Sequence, residues 1–315
     1  MKKFLRNLLY ALLPVIIVNL IFWSALVALS WQEDLTYVNY ASALDKEKRL
    51  EELAGKPRLV IIGGSNTRFS FDSRILEDSL GIEPVNMGIH IGLGLDYMFE
   101  QVATKLKAGD VLLVSAEYEH FMDMNTYRGD KGLTDMYLIR HEWGHAFSHI
   151  VNTHNFYSMY SLLRIRLKRI SMKPEKIPSA MGVRTKYNKF GDYVGHYNLP
   201  PIPWNAPPLP QNPDKNVIAD LKLKISRLRG LGVKVLMLPP PYCQSSWQTD
   251  SVAIHCLADS LKSANLPFCS APGEFIYPDS LCYDSQYHLI RASGKLHSER
   301  VARILAGLLT KGMLE

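Results

Sequence analysis

The longest apolar run opens the chain. Leu8 to Leu29 is 22 residues without a charge, with Asn19 and Ser24 the most polar among them. At ~1.5 Å per helical residue, such a run covers the ~30 Å hydrocarbon core of a bilayer. Lys2, Lys3 and Arg6 precede it, and Glu33 and Asp34 follow it. The positive-inside rule keeps the N-terminus in the cytoplasm and exports the remainder. The competing reading is a cleaved signal peptide ending at Ala28-Leu29-Ser30. A signal-peptide core is usually ~7–15 residues, shorter than this run. The expectation is an uncleaved anchor over residues 1–31, with the rest held at the membrane in the periplasm or on the outer face.

Beyond the anchor the periodicity changes. Residues 32–56 are polar and read as a stalk helix. Short all-apolar runs follow at 58–62, 84–88 and 110–115, each separated by a helical pattern, Ser73 to Leu80 and then Asp96 to Lys107. Continuous apolar runs of this length suit buried parallel strands. The pattern returns with a helix at 216–229, a strand at 233–238, a helix at 251–264, a short strand from Phe268 and a helix at 294–309. Strands alternating with helices predict an α/β domain over 57–315, a three-layer sandwich with a parallel sheet, flavodoxin-like in its layering. Residues 118–213 lack this rhythm and read as one insertion, rich in His, Tyr, Asn and Pro, with a helix at 155–169.

Composition narrows the class. The 315 residues are 47% hydrophobic and 21% charged, which excludes wholesale disorder. The net charge of +6 is unevenly spread: residues 141–200 hold nine Lys+Arg and three Asp+Glu. That stretch suits an anionic partner, a phospholipid surface or an acidic glycan; no nucleic-acid motif appears. Cys243, Cys256, Cys269 and Cys282 contain no CxxC pair. In an oxidising compartment they permit two disulfides, and sequence does not choose among the three pairings.

Candidate chemistry lies at the strand ends, where open α/β sheets gather ligands. The first strand ends in Gly63-Gly64-Ser65-Asn66, the second in Asn86-Met87-Gly88, and a C-terminal loop reads Asp284-Ser-Gln-Tyr-His288. Taken singly, each has an ordinary role: Ser65 as a helix N-cap, Gly88 as a turn glycine, His288 as a loop histidine. Taken together, a hydroxyl, a base and a carboxylate to orient the base are the parts of a serine nucleophile.

This order of motifs resembles the SGNH (GDSL-like) hydrolase superfamily over residues 58–117 and 216–310. The resemblance implies Ser65 as nucleophile, His288 as base and Asp284 as its orienter. It implies oxyanion amides from Ser65 and Gly88 and no metal or organic cofactor; Asn66, Asn86 or a residue of the insertion that caps the site are the candidates to replace the missing third-block donor. Its membrane-anchored members imply an esterase or acyltransferase acting on an envelope polysaccharide, beside a membrane-bound acyltransferase. Three departures stand out. The serine motif lacks the usual Asp. The third block, normally Gly-x-Asn-Asp, is replaced by Ser115-Ala-Glu117-Tyr118. Three residues, not two, separate Asp284 from His288.

Two other readings compete. A catalytically silent accessory protein of a membrane acyltransferase would explain the missing third block. His141-Glu142-Trp-Gly-His145 matches His-Glu-x-x-His; on a helix, His141 and His145 would share a face and bind Zn²⁺, with Glu142 as base. Gly144 weakens that helix by ~1 kcal/mol, and position 151, where a metzincin has its third histidine, is Val151.

Overall fold

Four apolar runs pair as a parallel sheet: β1 (Arg58–Ile62), β2 (Glu83–Asn86), β3 (Val111–Val114) and β4 (Lys234–Met237), in the order β2-β1-β3-β4. The computed structural model describes residues 1–171 and 183–310. They divide into two units, 1–37 with 131–171, and 38–130 with 183–310. The sheet belongs to the second.

The strands lack polar alternation because both sheet faces are covered. Leu59, Ile61, Val111, Leu113 and Leu236 pack with Leu76 of α4 (Ser73–Leu80) and with Val301 and Leu305 of α13 (Arg291–Thr310). On the opposite face Val60, Leu112 and Val235 are equally buried. Two amphipathic helices, α5 (Leu95–Ala103) and α11 (Lys215–Gly230), bury stripes at three- and four-residue spacing, among them Leu95, Met98 and Val102, and Leu221, Ile225 and Leu228. The run at Phe268 makes a single parallel bridge to Met237 rather than a full strand.

The chain leaves β1 toward β2, then returns to place β3 on the other flank of β1. The carboxyl ends of β1 and β3 are therefore the topological switch point. At the amino ends, the buried Arg58 guanidinium ties β1 to β3 through Asp110 and donates to the carbonyls of Leu50 (2.7 Å) and Lys105 (2.8 Å).

Between β3 and α11, the short helices α6 (Glu119–Met122) and α7 (Met124–Arg128) stay with the sheet unit. A two-stranded parallel pair, β5 (Tyr242–Cys243) and β6 (Ile276–Tyr277), flanks α12 (Gln244–Ser263). One disulfide forms, Cys243–Cys282, closing a separation of 39 residues with Cα atoms 6.4 Å apart. Cys256 and Cys269 are free thiols.

Two organisational expectations need correction. The polar segment after the anchor is not a solvated stalk: α2 (Ser42–Glu52) belongs to the sheet unit and buries Ala43, Lys46, Glu47 and Leu50. Nor is 118–213 a single insertion. Its middle joins the N-terminal helix, and its two ends join the sheet unit.

The first unit is helical: α1 (Lys2–Gln32), α8 (Lys131–Ile139), α9 (Trp143–Asn152) and α10 (Tyr157–Ser171). Helix α1 is long and apolar enough to cross a membrane. Among the described residues, its C-terminal part packs inside the unit, where Leu26 meets Leu138, Ala146 and Leu162. Above that cluster Arg166 is fully buried, donating to Asp135 (2.6 Å) and Ser30 (2.7 Å), while Arg169 bridges Glu33 (3.0 Å) and Asp135 (3.1 Å). Burial pushes the Asp135 carboxyl up, but the two arginines outweigh it and hold the carboxyl below its ordinary range.

Candidate active site

The nucleophile candidate is set by three close approaches of backbone. Ser65 is the first residue of α3 (Ser65–Ser70). A Cβ on Gly63 would lie 2.3 Å from the Ser115 carbonyl, and one on Gly64 would lie 2.4 Å from the Glu117 carboxylate. A Cβ on Gly88 would overlap the Thr67 hydroxyl. None of the three has a positive φ, so here glycine is required by space and not by backbone conformation.

The residues expected to cooperate converge from opposite ends of the sequence. His288 Nε2 lies 2.8 Å from Ser65 Oγ, across 223 positions of chain. His288 Nδ1 lies 2.5 Å from Asp284 Oδ1. The extra residue between Asp284 and His288 therefore does not separate them. The Phe69 ring stacks on the imidazole at 4.2 Å between centroids and 28° between planes, which limits its rotation.

The loop carrying Asp284 and His288 is fixed along its length. The Tyr283 amide donates to the His288 carbonyl (2.8 Å), the Leu289 amide to Ser70 Oγ (3.2 Å), and Ser70 Oγ to the Tyr287 carbonyl (3.0 Å). Cys282, at the loop's start, is held by the disulfide. The Tyr287 hydroxyl accepts from the Tyr118 amide (3.0 Å) and donates to Glu119 (2.5 Å), and Gln286 also donates to Glu119 (3.3 Å). Burial pushes the Glu119 carboxyl up to about 7, although these donors oppose the shift. Sequence reasoning missed Tyr287 and Glu119; the signal was polar residues adjacent to the motifs, without a pattern linking them.

The oxyanion side departs from expectation. The Gly88 amide donates to Asn86 Oδ1 at 3.0 Å, so it is engaged within its own turn. The Asn86 side-chain amide donates to the Thr67 carbonyl and to Asp192, both at 2.9 Å. Asn66 donates its side-chain amide to the Ser115 carbonyl at 2.7 Å. These side chains hold the turns together, and neither Asn amide faces Ser65 as a replacement donor. The place after β3 is taken by Glu117, 1% exposed. Its carboxylate accepts from the amides of Gly64 (2.9 Å) and Asn66 (3.1 Å) and lies 3.4 Å from Ser65 Oγ. His120 Nδ1 is 3.6 Å away, and burial holds that imidazole below its ordinary range. An acceptor thus stands where the third-block donor was expected.

The His-Glu-x-x-His alternative loses its geometric premise. Helix α9 begins at Trp143, and His141 lies before it with a left-handed φ of 59°. His141 and His145 consequently do not share a helical face. Glu142 accepts from Arg140 at 2.8 Å, and its other oxygen lies 3.4 Å from His145 Nδ1. Among the described residues, no group of three potential metal ligands includes His141 or His145.

Comparison of the chain with protein-family models and with curated proteins finds no match.

Proposed function

We propose that this protein is a membrane-anchored, serine-dependent acyl ester hydrolase or O-acyltransferase of the SGNH kind, with a three-layer α/β domain that acts on a cell-envelope glycan. One observation carries the reading: the continuous hydrogen-bonded path from Ser65 Oγ to His288 (2.8 Å) and on to Asp284 (2.5 Å) at the sheet's switch point. Surface hydroxyls and histidines have no cause to adopt that relay, whereas nucleophilic catalysis requires it.

The chemistry follows from the geometry. His288 Nε2 takes the Ser65 proton as Oγ attacks an ester carbonyl, while Asp284 accepts the Nδ1–H and favours the imidazolium. Collapse of the tetrahedral adduct returns that proton to the departing alkoxide and leaves an acyl–Ser65 ester. A water or a sugar hydroxyl, deprotonated by His288, then removes the acyl group. Envelope glycan as substrate class is supported by the apolar span of α1 and by the basic character of residues 141–200.

The Glu117 carboxylate favours a second reading, a non-catalytic accessory of a membrane acyltransferase, because an anion beside the nucleophile opposes an oxyanion. Turnover of an activated acetyl ester separates the two. The enzyme reading expects hydrolysis that falls at least ~100-fold in Ser65→Ala and is unchanged by chelators. Activity equal in Ser65→Ala and wild type would remove it.

A further inference from the structure

The first helical unit presents an apolar surface that its own packing leaves uncovered. Phe147, Val151, Phe156, Tyr157 and Tyr160 all stand exposed, Tyr157 at 74%. They cluster at one end of the α9–α10 hairpin. From Trp143 to Leu163 the sequence holds no Asp, Glu, Lys or Arg. A patch of this kind on a soluble surface is an interaction site.

Its position relative to α1 identifies the partner. Helix α10 runs parallel to α1: Tyr160 meets Phe22 (6.3 Å between ring centroids), Leu162 meets Leu26, and Arg166 meets Ser30. Helix α9 runs the other way, since Trp143 lies by Trp31 and Phe147 by Trp23. The hairpin tip therefore reaches the level of α1 just before Phe22. Below that level α1 is exposed among the described residues. The exposed stretch Phe4 to Ile21, ~27 Å of helix with Arg6 snorkelling from its first turn, takes the place of Leu8–Leu29 as the ~30 Å crossing, because Trp23, Leu26 and Ser30 are packed inside the unit. The exposed aromatics thus sit at the end of the crossing, where Tyr, Trp and Phe favour the bilayer interface. The exposed Arg164 and Lys168 follow Tyr157 by ~10 and ~16 Å along α10, at headgroup height and beyond, suited to anionic lipid.

We propose that the α9–α10 hairpin is a second membrane contact, its aromatic tip seated in the lipid interface at the C-terminal end of the α1 crossing. This rests on α1 spanning the bilayer and is independent of the Ser65 chemistry. The hairpin grips α1 with one face and lipid with the other, as an interfacial amphipathic element does.

The test uses the full chain in phosphatidylcholine–phosphatidylglycerol vesicles, with Cys256→Ser and Cys269→Ser removing the free thiols. A single environment-sensitive fluorophore is attached at Phe156→Cys, Leu13→Cys or Lys168→Cys. Quenching is read with nitroxide lipids of different depth. The expected result is strong quenching of Leu13 by deep nitroxides, strong quenching of Phe156 by shallow ones, and at least ~3-fold weaker quenching of Lys168, ~18 Å from Phe156 along the helix. Leu13 quenched with Phe156 no more quenched than Lys168 overturns the hairpin contact alone. The same result with blue-shifted Phe156 emission overturns it in favour of a protein partner. Absence of quenching at Leu13 overturns the α1 crossing and the hairpin contact together.

Discussion

Glu117 is the residue on which the chemistry turns. A neutral donor beside Ser65 would stabilise a tetrahedral oxyanion; a carboxylate 3.4 Å from Oγ opposes it. Glu117→Gln keeps the shape and one acceptor for the Gly64 or Asn66 amide, and supplies an N–H. We expect ester turnover to rise about tenfold or more, by comparison with the ~10²–10³ lost when such a donor is deleted. An unchanged or lower kcat in a folded Glu117→Gln variant would contradict this. Glu119, two positions on, governs pH response. Its carboxyl is pushed by burial from an ordinary 4.5 up to about 7. Between those values the folded chain keeps a proton that the unfolded chain has released. Its contribution is therefore present below the ordinary pKa and is lost as pH rises through about 7. His90 and His196, held at about 4 by burial, work the other way and add stability as pH rises toward 6.5. Glu119→Gln should keep the histidine contribution and lose that of the carboxyl. The thermal unfolding midpoint should then rise more steeply between pH 5 and 6.5 than in wild type, and the decline between 6.5 and about 7 should vanish; identical profiles would refute the assignment.

At the scale of elements, α2 explains what the sequence concealed. Lys46 reads as one of several solvated charges, yet its ammonium is buried and donates to the carbonyls of Asn86 (2.9 Å), Gly88 (2.6 Å) and Gly191 (2.7 Å). Three N–H groups meet three acceptors, so α2 is fastened to the turn behind the candidate nucleophile, and burial holds the Lys46 pKa well below its ordinary value. Lys46→Met should cost about 3 kcal/mol or more, since three buried carbonyls lose their donor. Urea unfolding measures this, and a loss under ~1 kcal/mol would show the contacts to be incidental. The strands, by contrast, were legible from residues such as Leu59-Val60-Ile61, because burial on both faces leaves no polar alternation. Ser65, Asp284 and His288 were legible as motifs at strand ends and before the last helix. The pairing of Cys243 with Cys282, the Tyr287–Glu119 tether and the amide-bound Glu117 were not, because each depends on contacts between distant segments that leave no local pattern.

At the scale of the molecule, the two units divide the work by composition. The helical unit concentrates exposed apolar side chains beside α1, and the sheet unit concentrates buried polar ones around Ser65. The split of residues 118–213 between them was hidden in the sequence, where the change near residue 131 is marked by Gly129 and Gly132 alone, a signal shared with any ordinary turn. The proposed chemistry rests on one atom, Ser65 Oγ, made nucleophilic by His288. Labelling of the full chain with a fluorophosphonate, followed by peptide mapping, tests it most directly, because this reagent needs an activated serine and no knowledge of the acyl group or acceptor. A single adduct on Ser65 is expected, formed at least ~100-fold more slowly in His288→Gln. No adduct on Ser65 in the wild-type chain, or an equal rate in His288→Gln, would contradict it.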